Sequence, residues 1–215
     1  MKSYIVAGLG RFGSELARQL TCHGCEVLAV DIHADLVQQV ADQVTHAVVA
    51  DATDKAVLKA LDAGSFDCAI VAIGGSLADS ALATMNFQEL GIGKIICKAH
   101  DETHKKLLQK LGAHQVVIPE KEHAARLAKS LSSTNLLDYI ELSAEFGIIE
   151  LPAPTDWNGK SLKELNVRAK LGVNIIAVRR NDQIQVSPAA DFAIAQGDIM
   201  VILGDNQALE RVQKL

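Results

Sequence analysis

A glycine-spaced loop between a strand-like and a helix-like segment constrains this chain most. An apolar run, Ser3–Gly8, leads into Gly8-Leu9-Gly10-Arg11-Phe12-Gly13; an amphipathic stretch follows from Arg11 to His23, and the next apolar run, Glu26–Val30, ends at Asp31. G-x-G-x-x-G between strand and helix, with an acid closing the next strand, is the spacing of a dinucleotide-binding βαβ unit. Gly8, Gly10 and Gly13 let the backbone turn tightly and approach a phosphate. The helix that starts there aims free N–H groups and the positive end of its dipole at the anion. Within the loop, beside Phe12, Arg11 adds a full positive charge, which points to a ligand rich in phosphate, such as ATP or ADP, as well as NAD. Asp31, with Ile32 beside it, is placed to accept hydrogen bonds from both ribose hydroxyls of an adenosine and to repel a 2′-phosphate, which argues against NADP. The blander reading of Asp31 is a loop acid opening the next helix.

The rest of the composition suits a buried parallel sheet. Of 215 residues, 49% are hydrophobic and only 4% aromatic, a mix rich in Val, Ile, Ala and Leu that fits strands covered on both faces. The length allows one ordinary domain, or a domain with a small companion. A net charge of −5 argues against a broad nucleic-acid surface, although Arg11, Arg168 and Arg179-Arg180 remain available to small anions. The first strand begins almost at Met1, so no signal peptide is expected. No apolar run reaches the roughly 20 residues that span a bilayer, and a cytosolic location, or one peripheral to a membrane through a partner, is expected. Cys22-His23-Gly24-Cys25 is formally C-x-x-C, but no second ligand pair suits zinc; it reads as a helix end with Gly24 as the left-handed cap. Cys68 and Cys97 read as small core residues.

Apolar runs then alternate with amphipathic stretches. Strands are expected at Ala47–Ala50, Cys68–Ile73, Lys94–Lys98 and Gln115–Ile118, and helices at Ala34–Gln43, Asp54–Ala63, Ser76–Leu90 and Glu102–Leu111. This predicts an α/β fold, a Rossmann-type doubly wound parallel sheet joined by right-handed crossovers. Pro119 opens a helix to about Leu131, and Ser132-Ser133-Thr134-Asn135 reads as a linker. Beyond it the pattern changes to short strands, Tyr139–Leu142, Gly147–Leu151, Val173–Val178, Ile184–Val186 and Ile199–Leu203, with helices at Ser161–Leu165 and Gln207–Leu215. The chain thus divides into a nucleotide-binding domain over residues 1–119, a crossover helix and linker over 120–137, and a second, smaller α+β domain over 138–215. The second domain is small enough that dimerisation through it is expected.

Ligands bind such sheets at the carboxyl ends of the strands, where Gly8–Gly13, Asp31, Asp51 and Gly74 all fall. Asp51, with Ala52 and Thr53, is a candidate reader of the adenine edge, and Thr53 or Asp54 also suits a helix cap. Gly74-Gly75 would let the backbone pass close to phosphates. Lys98 either faces this cleft or is a solvated strand end. Glu120 either complements its helix dipole or binds a divalent cation, Mg²⁺ or Ca²⁺, beside a triphosphate. His100 and His104 read as an exposed helix face. No G-x-S-x-G, P-loop or substrate-binding His–Asp or Lys–Glu arrangement is evident, which favours a sensor over an enzyme.

The chain resembles the regulatory subunits of Ktr/Trk-type potassium transporters, which carry RCK N- and C-terminal domains. The resemblance rests on Gly8–Gly13, Val30-Asp31, Thr45-His46-Ala47-Val48, Val71-Ala72-Ile73-Gly74, Ile118-Pro119-Glu120-Lys121 and Leu165-Asn166-Val167-Arg168-Ala169-Lys170, and it runs the length of the chain. It implies a non-enzymatic subunit at the cytoplasmic face of a KtrB-like membrane K⁺-translocating subunit. Dimers would assemble into an octameric ring, with ATP and ADP favouring different ring shapes. It also implies that Arg11 senses the terminal phosphate, that Glu120 holds the divalent cation, and that the C-terminal domain binds cyclic di-AMP. Arg168 would contact its phosphate and Asn174 its base, with Ile175 and Pro188 on its apolar side; by the residues alone, Ile175 also reads as strand core and Arg168 as the partner of an acid. Two other readings stay open: an NAD-dependent oxidoreductase using the same cleft, and a nucleotide-binding module of another membrane protein, such as a channel.

Overall fold

In the computed structural model, which describes residues 1–132 and 136–215, the chain divides into two compact units, Met1–Lys121 and Glu122–Leu215. The first unit alternates strand and helix: β1 (Ser3–Ala7), α1 (Arg11–Cys22), β2 (Glu26–Asp31), α2 (Ala34–Val40), β3 (His46–Val49), α3 (Lys55–Ala60), β4 (Cys68–Val71), α4 (Leu77–Glu89), β5 (Ile95–Lys98), α5 (Glu102–Lys110) and β6 (Gln115–Val117). All six strands are parallel, in the order β3-β2-β1-β4-β5-β6. That is the Rossmann order, and its switch point lies between β1 and β4.

Both faces of the sheet's centre are core, so its inner strands are apolar through consecutive positions rather than at alternate ones. Ile5 and Ala7 of β1, Leu28 and Val30 of β2, and Ala69 and Val71 of β4 join one apolar cluster. Their neighbours Val6, Val27, Ala29, Cys68 and Ile70 join the other. Cys68 and Cys97 are both buried. Burial pushes the Cys97 thiol up to about 11, which keeps it protonated and inert. Helix α1 ends as expected: Gly24 is left-handed at φ +75°, and the Gly24 and Cys25 N–H groups return to Thr21 O and Leu20 O, a Schellman closure.

Local chemistry shortens two expected helices. The one expected over Asp54–Ala63 stops at Ala60, because Asp62 is left-handed at φ +52° and a separate 3₁₀ turn occupies Ala63–Ser65. Helix α2 gives way to a 3₁₀ turn at Ala41–Gln43. Capping matches the residue types present: Asp54, Ser76 and Asp101 accept N–H bonds at the starts of α3, α4 and α5, which satisfies orphan donors.

Helix α6 (Pro119–Ser132) leads out of the first unit. Of the expected linker, Ser132 ends this helix and residues 133–135 lie outside the described residues. The second unit contains β7 (Asp138–Glu141), β8 (Phe146–Pro152), α7 (Leu162–Leu165), α8 (Val167–Leu171), β9 (Asn174–Arg180), β10 (Gln183–Val186), β11 (Ile199–Asp205) and α9 (Asn206–Gln213). Its five strands are antiparallel, in the order β10-β9-β11-β8-β7. Only one face is covered, so burial alternates: Gly147, Ile149 and Leu151 on β8, and Met200, Ile202 and Gly204 on β11. Helix α8, which the sequence reading passes over, is set off from α7 by Asn166 at φ +45°.

An ion pair pins the loop before β11. Asp198 is fully buried and accepts from Arg180 Nε and Nη2, both at 2.7 Å, and from Ala195 N–H at 2.8 Å. Arg180 also lies over the Phe192 ring at 5.0 Å. Asp198→Asn is expected to destabilise this unit by about 2 kcal/mol, because a charge-assisted fork is lost while the guanidinium stays partly solvated. Equilibrium urea unfolding followed by Trp157 fluorescence measures it.

Candidate functional site

The loop from β1 into α1 is built by three glycines with different tasks. Gly8 has φ +96°, and a Cβ there would meet Ile73 N at 2.8 Å and Ala72 C at 2.9 Å. A Cβ on Gly13 would stand 1.9 Å from Gly8 O, so α1 can press against its own entry loop only without a side chain. A Cβ on Gly10 would meet nothing within 4 Å, which leaves the space in front of the helix clear. Helix α1 starts with Gly10 at its cap, no side-chain cap and no acid in its first turn. Its leading N–H groups therefore face that space uncompensated. Arg11 is exposed, and among the described residues its guanidinium makes no hydrogen bond or ion pair.

Asp31 is one of the few buried charges of the unit, 9% exposed. Its Oδ2 accepts from Leu9 N–H at 2.7 Å, and its Oδ1 from His33 N–H at 2.9 Å and His33 Nδ1 at 2.8 Å. Burial raises its pKa, but the hydrogen bonds from Leu9 and His33 outweigh that and hold it below the ordinary value. Asp31 thus braces the glycine loop from the adjacent strand, while Ile32 beside it is 58% exposed. His33 is a partner that sequence reasoning missed; its position two residues after the acid was the available signal.

After β3, Asp51 Oδ1 accepts from Thr53 N–H at 2.8 Å and Thr53 Oγ1 at 2.7 Å, and Ala52 is buried. The cap of α3 is Asp54 rather than Thr53. Asn86 of α4, also missed, donates to Thr53 O at 2.8 Å and holds this loop down. After β4, Gly74 and Gly75 are exposed, have no positive φ, and leave open space where side chains would stand. Their contribution is room rather than an unusual backbone.

The end of β5 meets the start of α6. Lys98 Nζ lies 2.6 Å from Glu120 Oε1 and 5.8 Å from the centre of the Phe12 ring, and the lysine side chain is only 18% exposed. Lys98 is therefore not a solvated strand end. Its hydrogen bond holds the Glu120 carboxyl below its ordinary pKa, and the charge of Arg11 acts in the same direction. Residues from α1, β5 and α6, far apart in sequence, thus form one charged cluster at the carboxyl edge of the sheet. No group of three or more His, Cys, Asp or Glu side chains suited to a metal occurs among the described residues. A hard cation at this edge would have Glu120 as its protein carboxylate and would need its other oxygens from phosphate and water, a donor set that suits Mg²⁺ or Ca²⁺.

His104 departs from expectation, while His100 is exposed but precedes α5. His104 is fully buried, with Nε2 2.7 Å from Ser80 Oγ and Nδ1 3.1 Å from His100 Nδ1. The apolar period His104, Leu107, Leu108, Leu111 carried this information, and the flanking lysines masked it. Burial, then the neighbouring His100, holds the pKa of His104 below its ordinary 6.5. A folded state that resists protonation loses stability as pH falls below the unfolded value. The melting temperature is therefore expected to drop between pH 7 and pH 5, and His104→Gln to flatten that slope in a differential scanning calorimetry series.

In the second unit, Arg168, Asn174, Leu142, Phe146 and Asp205 are among the residues around an open cavity of about 490 Å³, a size typical of small-molecule sites. Arg168 is exposed, and among the described residues no acid pairs with it. Ile175 faces the core of the unit. Pro188 is half-buried, and neither of these two lines the cavity.

Comparison with known proteins gives matches along the chain. The TrkA-N domain model matches residues 4–119, and the TrkA-C domain model residues 147–215. The Ktr system potassium uptake protein C of Bacillus subtilis (strain 168) is 42% identical over 213 residues, covering 99% of this chain and 96% of that protein. The Ktr system potassium uptake protein A of Vibrio alginolyticus is 30% identical over 208 residues, 97% of this chain and 94% of that one. Among solved structures, the GsuK RCK domain superposes with a TM-score of 0.69 at 25% identity, covering all of this chain and 47% of that one.

Proposed function

This chain belongs to the TrkA-N/TrkA-C family, and on that premise we propose that it is the nucleotide-sensing regulatory subunit of a Ktr-type potassium transporter. It acts at the inner face of the membrane through a K⁺-translocating partner; no helix among its described residues is long and apolar enough to cross a membrane. It is a regulator rather than an enzyme. The observation that carries the reading is the convergence of Arg11, Phe12, Lys98 and Glu120 at an uncapped helix N-terminus, in a chain matched almost end to end by potassium-uptake proteins.

ATP and ADP occupy the carboxyl edge of the parallel sheet. Asp31 takes the ribose, the Ile32 and Asp51–Thr53 segments flank the base, and Gly8–Gly13 with Gly74 admits the phosphates. Arg11 reads the terminal phosphate, and Glu120 shares a divalent cation with it. Two nucleotides move an assembly only if they bind its alternative forms unequally, and the terminal phosphate is the only chemical difference available between ATP and ADP. Dimers assemble into an octameric ring that transmits the difference. The cavity beside Arg168 and Asn174 takes an anionic second ligand, cyclic di-AMP, with Leu142 and Phe146 on its apolar side.

Calorimetric titration of the full chain with ATP, ADP, NADH and cyclic di-AMP tests this reading. ATP and ADP are expected to compete for one site per chain, with cyclic di-AMP binding independently of them. Arg11→Ala is expected to weaken ATP by about tenfold and ADP much less, the loss of one charge-assisted contact. Equal losses for both nucleotides would reduce Arg11 to a loop-shaping residue. Selective NADH binding with hydride transfer would replace the reading with that of a dehydrogenase.

A further inference from the structure

Three of the first unit's lysine–carboxylate pairs invite comparison. Lys121–Glu102 and Lys55–Glu89 join side chains that are all at least 38% exposed, and they are ordinary surface pairs of little energetic weight. Lys98–Glu120 is different: the lysine is 18% exposed and packs by Phe12, while its carboxylate partner is 63% exposed. The cation is embedded and the anion is open to arrivals.

The charges around it do not favour leaving it so when a phosphate binds. Arg11, Lys98 and the start of α1 draw an anion to this edge. Glu120, within the field of Arg11, stands there as a like charge. Lysine is a compact charge on a flexible stem, so its ammonium can turn from the carboxylate to an incoming phosphate without losing an anionic partner. That movement uncovers an exposed carboxylate oxygen next to phosphate oxygens, the hard-oxygen surroundings a divalent cation prefers.

We propose that Lys98 is an exchangeable counter-ion that blocks Glu120 in the nucleotide-free chain and hands it over when phosphates bind, which couples divalent-cation binding to nucleotide binding. The phosphate arm rests on the nucleotide reading above; the blocking arm does not. With Lys98 in place, Glu120 has little affinity for a cation alone. The handover makes cation and nucleotide mutually dependent, and Lys98 becomes a residue that sets this specificity.

The test is calcium binding to the full chain with no nucleotide present, followed by isothermal titration. Wild type and Lys98→Arg, which keeps the charge, are expected to bind calcium weakly. Lys98→Gln is expected to bind it about five- to tenfold more tightly, the order of a surface ion pair removed from competition, and Glu120→Gln in the same background should abolish the gain. In wild type, calcium should tighten ATP, and in Lys98→Gln that coupling should shrink. Calcium binding to Lys98→Gln no tighter than to wild type would overturn the blocking role. Failure of wild type to bind ATP or ADP would overturn the nucleotide reading and with it the handover, whatever calcium does.

Discussion

Gly13→Ala is expected to be the most damaging single methyl in the first unit. The added carbon would stand 1.9 Å from Gly8 O and 3.0 Å from the Ala72 Cβ, and the near neighbour is backbone, which cannot swing aside. Helix α1 must lift from the loop, opening the packing of Ala17 and Leu9 in the sheet's second apolar cluster. Overpacking against a rigid wall costs about 3 kcal/mol, a fall of roughly 10 °C in melting temperature for a unit of this size. The same displacement moves the N–H groups that face the phosphate, so ATP and ADP affinity should fall by about a hundredfold, each tenfold being about 1.4 kcal/mol. Gly10→Ala is the control, since a Cβ there meets nothing within 4 Å. It should melt close to wild type. Equal melting of both variants would contradict the close-approach role of Gly13.

Asp31→Ala should have the second largest effect, because one carboxylate has two duties. Inside the protein it satisfies the N–H of Leu9, a residue only 2% exposed. An orphaned buried N–H costs about 1–3 kcal/mol. Toward ligand it serves the ribose that ATP and ADP share, so both nucleotides should weaken together, by about tenfold to a hundredfold. Asp31→Asn keeps the shape and one acceptor oxygen and should fall between. The acid side follows from the sign of its pKa shift: a carboxyl held below its ordinary 3.8 stabilises the fold above that pH, and this stability is lost as pH falls through the lowered value. Thermal melts from pH 5 to pH 2.5 should show the wild-type decline flattened in Asp31→Ala. ADP affinity left intact while ATP is lost would contradict the ribose role.

These two variants also mark what the sequence makes legible. The glycine loop and Asp31 are readable because strand, turn and helix follow one another locally, and each step has its own periodicity. The parallel sheet is readable because its inner strands are apolar on both faces, as Ile5, Val6 and Ala7 illustrate. Element ends are less so. A single left-handed residue, Asp62 or Asn166, divides stretches whose composition reads as continuous or featureless. The burial of His104 was present in the helical period but concealed by Lys105 and Lys106. The contact of Lys98 with Glu120 had no local signal, since 22 positions separate them; only the order of strands brings the end of β5 to the start of α6. In the second unit, Arg168 and Asn174 reach the cavity by residue type and place, whereas Ile175 follows its strand's inward alternation into the core.

The most direct test of the central claim is potassium flux through the membrane subunit reconstituted in liposomes with this chain, measured with ATP or ADP. The account predicts faster flux with ATP than with ADP, and predicts that Arg11→Ala removes most of that difference while the chain remains bound to its partner. Flux that ignores which nucleotide is present, with both nucleotides bound, would contradict it.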